Sequence, residues 1–303
     1  MLFRSSRELF QRYEWDESDF AEAASDLQLE DVKAFHEAFW SSAKAKALMY
    51  GNYARADVDS LRDLLAGVLP ETAQPVPQLA VTRLQDAARF VDRNPVDHDD
   101  SVYMLYFQGA ENSWRQRAMA ALTGQILRSE FYEQLRTEKQ RGYIVFAAAL
   151  PMHEVPGTTY IVQSSSTDPV QLHADVDSFL REWAADGRIT PDAFARHRNA
   201  LILELEEEPK NLFEQAGRYW RDLTRKRYDF DSREQLLAAV ADIALEDWLT
   251  YFRQTHLEQP RSVLMYTSGR FDDPGIDRQL HEGRAAISDY QAFKAERPVY
   301  LLD

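Results

Sequence analysis

The chain has 303 residues, of which 45% are hydrophobic and 12% aromatic, so it can bury a sizeable core. Its formal net charge is −15 at pH 7 and no dense basic run is present, which argues against a nucleic-acid partner. The absence of cysteine excludes disulfides, thiolate metal sites and cysteine nucleophiles, and no apolar run approaches the ~20 residues of a membrane span.

The first 70 residues predict two helices with a strand between them. Residues 29–42 carry Val32, Phe35 and Phe39 on one helical stripe, with acidic residues in the first turn. Residues 45–50 predict a short buried strand, and a second helix is expected over 58–69. The proline-rich stretch 71–78 predicts an interdomain linker.

The remainder alternates between strand and helix patterns. Strands are expected near 79–91 and 102–108, followed by a long helix over 113–139 that Gly142 is placed to close. Residues 143–150 and 158–164 predict a hairpin. The last predicted elements are helices over 169–183, over 191–227 with an interruption near Pro209, and over 246–254, and a strand over 262–267.

An internal repeat organises these elements. Residues 26–31 (DLQLED) are echoed by 242–247 (DIALED), and 48–50 (LMY) by 264–266, both at an offset of 216 residues. Such a long offset indicates a duplicated domain rather than a solenoid. We therefore predict an α+β fold, a mostly antiparallel sheet with helices packed on one face, preceded by a partial copy of the same domain.

The predicted domain limits follow from this repeat. Residues 1–70 are the carboxyl-terminal part of one copy, 71–78 the linker, and 79–303 a complete second copy.

No complete catalytic motif is visible. None of the seven histidines lies in an HExxH or HxxEH arrangement, and there is no GxSxG elbow, P-loop or dinucleotide fingerprint. The run His98-Asp99-Asp100 could be a loop metal site, although a solvated polar loop is the better interpretation. We therefore predict no metal ligand in this chain.

One segment is chemically suggestive. Arg136 falls in the last turn of the long helix, and Tyr143 follows Gly142 where a strand begins, so the two side chains could meet at one end of the sheet. An arginine can hold a substrate carbonyl, and a phenol O–H can donate to a developing oxyanion. Spacing alone favours a structural interpretation, in which Arg136 pairs with a nearby carboxylate and Tyr143 is an ordinary strand residue.

The residues 135–146 (LRTEKQRGYIVF) resemble the LRTxxQxGYIVF segment in the carboxyl-terminal half of the insulinase/pitrilysin family of zinc peptidases. The similarity continues through Pro209-Lys210-Asn211-Leu212, Tyr219-Trp220 and Tyr228-Asp229-Phe230-Asp231 in the family's order. It extends over nearly the whole chain, from about Leu9 to Tyr266.

The resemblance implies a place within a larger enzyme. The family has four homologous domains in two halves that close around a chamber, and this chain would supply the end of the third domain and the whole fourth. Zinc would be held by the amino-terminal half, so its ligands lie outside this chain, which alone is expected to be inactive.

The resemblance also implies site residues and partners. Arg136 would bind the substrate backbone and Tyr143 would bind substrate and stabilise the tetrahedral intermediate. The expected partners are peptide substrates and the amino-terminal zinc-binding half. Homodimerisation, and a cytoplasmic or periplasmic location, are left open. The alternative function is a non-catalytic peptidase-like interaction or scaffold protein.

Overall fold

The computed structural model describes residues 2–15, 17–71, 78–185, 187–271 and 273–302. The helices are α1 (Leu2–Phe10), α2 (Glu17–Ser25), α3 (Leu29–Ser42), α4 (Arg55–Val68), α5 (Trp114–Tyr132), α6 (Pro169–Ala184), α7 (Pro191–Glu206), α8 (Leu212–Thr224), α9 (Ser232–Ala241), α10 (Leu245–Arg253), α11 (Pro274–His281) and α12 (Tyr290–Ala295). Single π-helical segments, Glu133–Glu138 and Gln254–Glu258, extend α5 and α10. None of the described helices is long and apolar enough to cross a membrane.

The strands are β1 (Leu79–Thr82), β2 (Arg89–Arg93), β3 (Ser101–Gln108), β4 (Ile144–Ala149), β5 (Gly157–Ser164), β6 (Ser262–Thr267), β7 (Ala285–Ala286) and β8 (Val299–Leu302). Six of them form one sheet in the order β4-β5-β3-β6-β2-β7, and β1 pairs with β8. The first three pairings across the large sheet are antiparallel, and β2 runs parallel to both β6 and β7. The predicted α+β fold with a mostly antiparallel sheet is confirmed.

Side-chain alternation along β3 separates the two faces of this sheet. Tyr103, Leu105 and Phe107 belong to the main buried cluster, to which α5 and α6 also contribute. Tyr106 points to the other face, where its ring lies 4.9 Å from that of Phe10 in α1. A helix therefore also covers part of the face opposite the main cluster, which makes β3 buried on both sides.

Local signals define the helix ends around the core. The side chain of Asp168 caps α6 by accepting from the backbone N–H groups of Val170 and Gln171. Thr190 caps α7 by accepting from the backbone N–H of Ala193. The predicted break near Pro209 is confirmed, because α7 ends at Glu206 and α8 begins at Leu212 after its Asn211 cap.

The chain forms two compact units. The first contains the described residues of 2–14, 80–207 and 233–300, and therefore the large sheet and its core. The second contains those of 15–79, 208–232 and 301–302. These units are defined by packing, whereas the predicted division at 70 and 79 concerns two copies of a homologous domain, which stays a prediction. Residues 72–77 of the predicted linker lie outside the described residues.

One predicted element is wrong. Residues 43–50 form no strand; instead the ring of Tyr50 lies 5.2 Å from that of Tyr219 in α8, and the Nζ of Lys46 donates to the hydroxyl of Tyr228 at 2.9 Å. A strand requires neighbours that accept its backbone hydrogen bonds. Within the described part of the chain, the segment pairs with none, so its apolar pattern is insufficient to make it a strand.

Candidate active-site segment

The connection from α5 to β4 is built by backbone geometry. Gln140 takes a left-handed φ of 52°, which ends the helical path after Lys139. Gly142 does not have a positive φ, so the prediction that it closes the helix is wrong. A Cβ at Gly142 would lie 2.1 Å from the carbonyl oxygen of Gln163, because the chain here passes directly against β5. The backbone N–H of Tyr143 then donates to that same oxygen at 3.1 Å.

Two of the three basic side chains in this segment have structural partners. The Nζ of Lys139 lies 3.0 Å from Oδ1 of Asp175, and the Nε of Arg141 lies 2.5 Å from its Oδ2. Burial of Asp175 raises the pKa of its carboxyl, but the hydrogen bonds from both cations outweigh burial and hold the pKa below its usual value. Through these two ion pairs, Asp175 of α6 holds the connection from α5 to β4 against that helix.

Arg136, the third basic side chain, is available. It lies in the π-helical segment, a local widening that is frequent at functional sites. Among the described residues it has no hydrogen-bond, ion-pair or ring partner. The predicted structural alternative, in which Arg136 pairs with a neighbouring carboxylate, is therefore not what the described residues form.

Tyr143 precedes β4 and is half exposed, at 52%. Its hydroxyl donates to Oδ2 of Asp100 at 2.8 Å, and Nε2 of Gln163 donates both to the tyrosine oxygen at 2.5 Å and to Asp100 at 3.0 Å. The hydrogen bond to Asp100 raises the pKa of Tyr143. Bonds from Gln163 and Tyr143 lower the pKa of Asp100, so the pair is a neutral phenol on a carboxylate.

The structure thus places the two predicted site residues on the same connection but not in contact with each other. Asp100 and Gln163 are the residues that sequence reasoning missed as partners of Tyr143. Gln163 is the register partner of Val102 in β3 and of Ile144 in β4, and Asp100 immediately precedes β3. Only the strand register could have revealed this cluster.

The described residues contain no group of three or more histidine, aspartate or glutamate side chains that could hold a metal ion. In the His98-Asp99-Asp100 run, Asp100 is engaged by Tyr143 and Gln163, and the ring Nδ1 of His98 accepts from the backbone N–H of Asp100 at 2.9 Å. Asp99 faces solvent, 3.7 Å from Arg270. That zinc ligands lie outside the chain stays a prediction.

Comparisons with known proteins agree on one family. Residues 122–220 match the family described as PQQ synthase PqqF-like, C-terminal lobe domain 4. Insulin-degrading enzyme of Homo sapiens is 27% identical over 251 residues, covering 79% of this chain and 24% of the relative. Protease 3 of Escherichia coli K12 is 26% identical over 246 residues, covering 80% of this chain and 26% of the relative. The chain thus spans about a quarter of the length of these relatives.

Solved structures show the same fold. The crystal structure of pitrilysin superposes with a TM-score of 0.86 at 23% identity, covering 98% of this chain and 32% of that one. A peptidase M16 inactive domain from Pseudomonas fluorescens superposes with a TM-score of 0.54 at 16% identity, covering 80% of this chain and 57% of the other. The chain is therefore similar to the carboxyl-terminal half of insulinase/pitrilysin-type (M16) peptidases in sequence and in fold.

Proposed function

We propose that this chain is the substrate-binding, non-zinc part of an insulinase/pitrilysin-type zinc metalloendopeptidase that degrades peptides in a closed chamber. The observation that carries the proposal is the guanidinium of Arg136, which has no partner among the described residues, in a segment whose other two cations both pair with Asp175. A cation left without a partner at a helix end is suited to bind a ligand.

The roles of the two residues follow from their donors. Arg136 carries five N–H donors and no acceptor, so it would hold backbone carbonyl oxygens of a bound peptide. Tyr143 is half exposed and protonated, so its O–H would donate to the oxyanion that forms when the scissile carbonyl is attacked. The metal would supply the activated water, and its ligands would come from an amino-terminal half. This chain alone is expected to be inactive.

The proposal is tested by mixing the chain with a separately produced amino-terminal zinc-binding half and following cleavage of a fluorogenic peptide. Tyr143→Phe removes one oxyanion donor and is expected to lower kcat about 10²- to 10³-fold. Arg136→Ala removes charged hydrogen bonds to substrate and is expected to lower kcat/KM about ten- to hundredfold.

Tyr132→Phe is the matched control, because Tyr132 in α5 is also about half exposed, at 48%, and its hydroxyl has no hydrogen-bond partner in the part of the chain that the structure describes. It should leave cleavage unchanged. Full activity in Tyr143→Phe would contradict the role assigned to the phenol. If the two halves bind peptide without cleaving it, a non-catalytic peptidase-like interaction protein becomes the better proposal.

A further inference from the structure

The hydroxyl proton of Tyr143 is already donated in a hydrogen bond within this chain. Its hydroxyl donates to Asp100 at 2.8 Å, and its oxygen accepts from Gln163 at 2.5 Å. A phenol has a single O–H, so it cannot donate to Asp100 and to a substrate oxygen in the same arrangement. Tyr143 can therefore act on an oxyanion only by exchanging its acceptor.

Asp100 is nearly buried and closely packed, whereas Tyr143 is half exposed. The Asp100 residue is only 7% exposed. Gly269, with a left-handed φ of 55°, packs so closely that a Cβ there would lie 2.4 Å from the carbonyl carbon and oxygen of Asp100. The next residue, Ser101, is fully buried, and its hydroxyl donates to the carbonyl of Thr167 at 2.5 Å. The packing around Asp100 therefore places its carboxylate as a defined acceptor for the O–H of Tyr143.

We propose that Asp100 is a positioning residue that holds the hydroxyl of Tyr143 and keeps its proton until a substrate oxyanion replaces the carboxylate as acceptor. This inference rests on the proposed function, since it gives Tyr143 its task. No covalent bond changes in the exchange: the O–H rotates from Asp100 to the oxyanion, and the phenol remains protonated throughout.

The surroundings make this exchange feasible. Gln163 donates to Asp100 at 3.0 Å as well as to Tyr143, so the carboxylate keeps a hydrogen bond after the phenol has left. Among the described residues, His98 and Arg270 are the other charged or titratable groups that act on Asp100, and both favour its ionised form. The bond to Asp100 in turn raises the pKa of Tyr143, which preserves the neutral donor at alkaline pH.

The test begins with the chain alone. Tyrosine is labelled with ¹³C at Cζ, the Tyr143 signal is assigned by its loss in Tyr143→Phe, and its chemical shift is followed with rising pH. We expect the native signal to titrate above an unfolded-peptide tyrosine, and Asp100→Asn to bring the midpoint back towards it. An unshifted native midpoint would overturn the proposal whether or not Asp100→Asn folds, because only the assignment variant Tyr143→Phe is then needed.

Asp99→Asn is the matched control. It removes the same charge at the neighbouring position, where the carboxylate is exposed and lies 3.7 Å from Arg270. It should move the midpoint of Tyr143 much less than Asp100→Asn does. Equal shifts in the two variants would show a general charge effect and sink the proposal.

The reconstituted enzyme provides an independent measurement. Asp100→Asn should move the alkaline limb of the kcat profile to lower pH, and this movement should vanish when Tyr143→Phe is already present, because the effect acts through the phenol. A shifted NMR midpoint together with full activity in Tyr143→Phe would reject the proposed function and leave the Asp100 contact intact. An unshifted NMR midpoint together with a hundredfold loss of activity in Tyr143→Phe would reject the role of Asp100 and support the proposed function.

Discussion

Helices α3 and α10 have nearly the same beginning and very different surroundings. They start at Leu29 and Leu245, at the repeat offset of the sequence. In both, an aspartate three residues into the motif accepts the backbone N–H that precedes the helix, from Gln28 to Asp31 at 2.9 Å and from Ala244 to Asp247 at 3.4 Å. This shared hydrogen bond gives the two similar sequence segments the same local helix start.

The two helices differ in their burial. In α10, Trp248 and Phe252 are fully buried and the following strand β6 is buried along its length. In α3 no residue is buried, Phe35 is 70% exposed, and residues 43–50 form no strand. The comparison teaches that an apolar stripe and a cap suffice to form a helix, whereas burial and strand pairing depend on a sheet that lies against it.

The largest expected effect compares the same deletion in the two helices. Phe252→Ala removes a fully buried ring that stacks on Trp248, and should lower the free energy of unfolding by about 3–5 kcal/mol. Phe35→Ala should change it by at most about 0.5 kcal/mol, because the ring is already exposed. Urea denaturation followed by circular dichroism measures both. Comparable losses would mean that Phe35 is covered in solution.

The next comparison concerns two carboxylates that each have two cationic partners. Asp175 is buried between Lys139 and Arg141, and Asp175→Asn should cost about 1.5–3 kcal/mol at pH 7. Asp59 lies on the surface of α4 beside Arg55 and Arg62, and Asp59→Asn should cost less than about 1 kcal/mol.

The Asp175 effect also has a defined pH dependence. Because the pKa of Asp175 is lower in the folded state, its contribution is present above the pKa of an unfolded aspartate and is lost as the pH falls through the folded pKa. The difference between the native chain and Asp175→Asn should therefore shrink in acid. A difference that is constant from neutral to acid pH would contradict the ion-pair origin of the effect.

The smallest pair uses one substitution with opposite expected signs. Gly142→Ala forces a Cβ against the carbonyl of Gln163 and should destabilise the protein by about 1–3 kcal/mol. Gly67→Ala, on an exposed turn of α4 with no atom near the new Cβ, should stabilise it by up to about 1 kcal/mol. Thermal denaturation of the two variants measures both changes in stability. A Gly142→Ala variant as stable as the native protein would contradict the close approach of residue 142 to the backbone of β5.

The sequence by itself predicted the features that depend on neighbouring residues. The α+β class, the limits of α3, the hairpin of β4 and β5, the break near Pro209 and the strand β6 all follow from short patterns of apolar residues, caps and turn formers. The resemblance of residues 135–146 also singled out Arg136 and Tyr143, whose proposed roles the experiments above address. These signals lie within short stretches of sequence, so they do not depend on which distant residues pack against them.

The tertiary structure alone determined which side chains contact each other at the candidate site. Asp100 reaches Tyr143 only because β3 and β4 flank β5 in one register, and a shift of one residue would turn Gln163 to the other face. Asp175 forms ion pairs with Lys139 and Arg141, and not with Arg136, because α6 lies beside the connection from α5 to β4. The residues that share these contacts are about 35 to 65 positions apart in the chain, so no local pattern encodes their meeting.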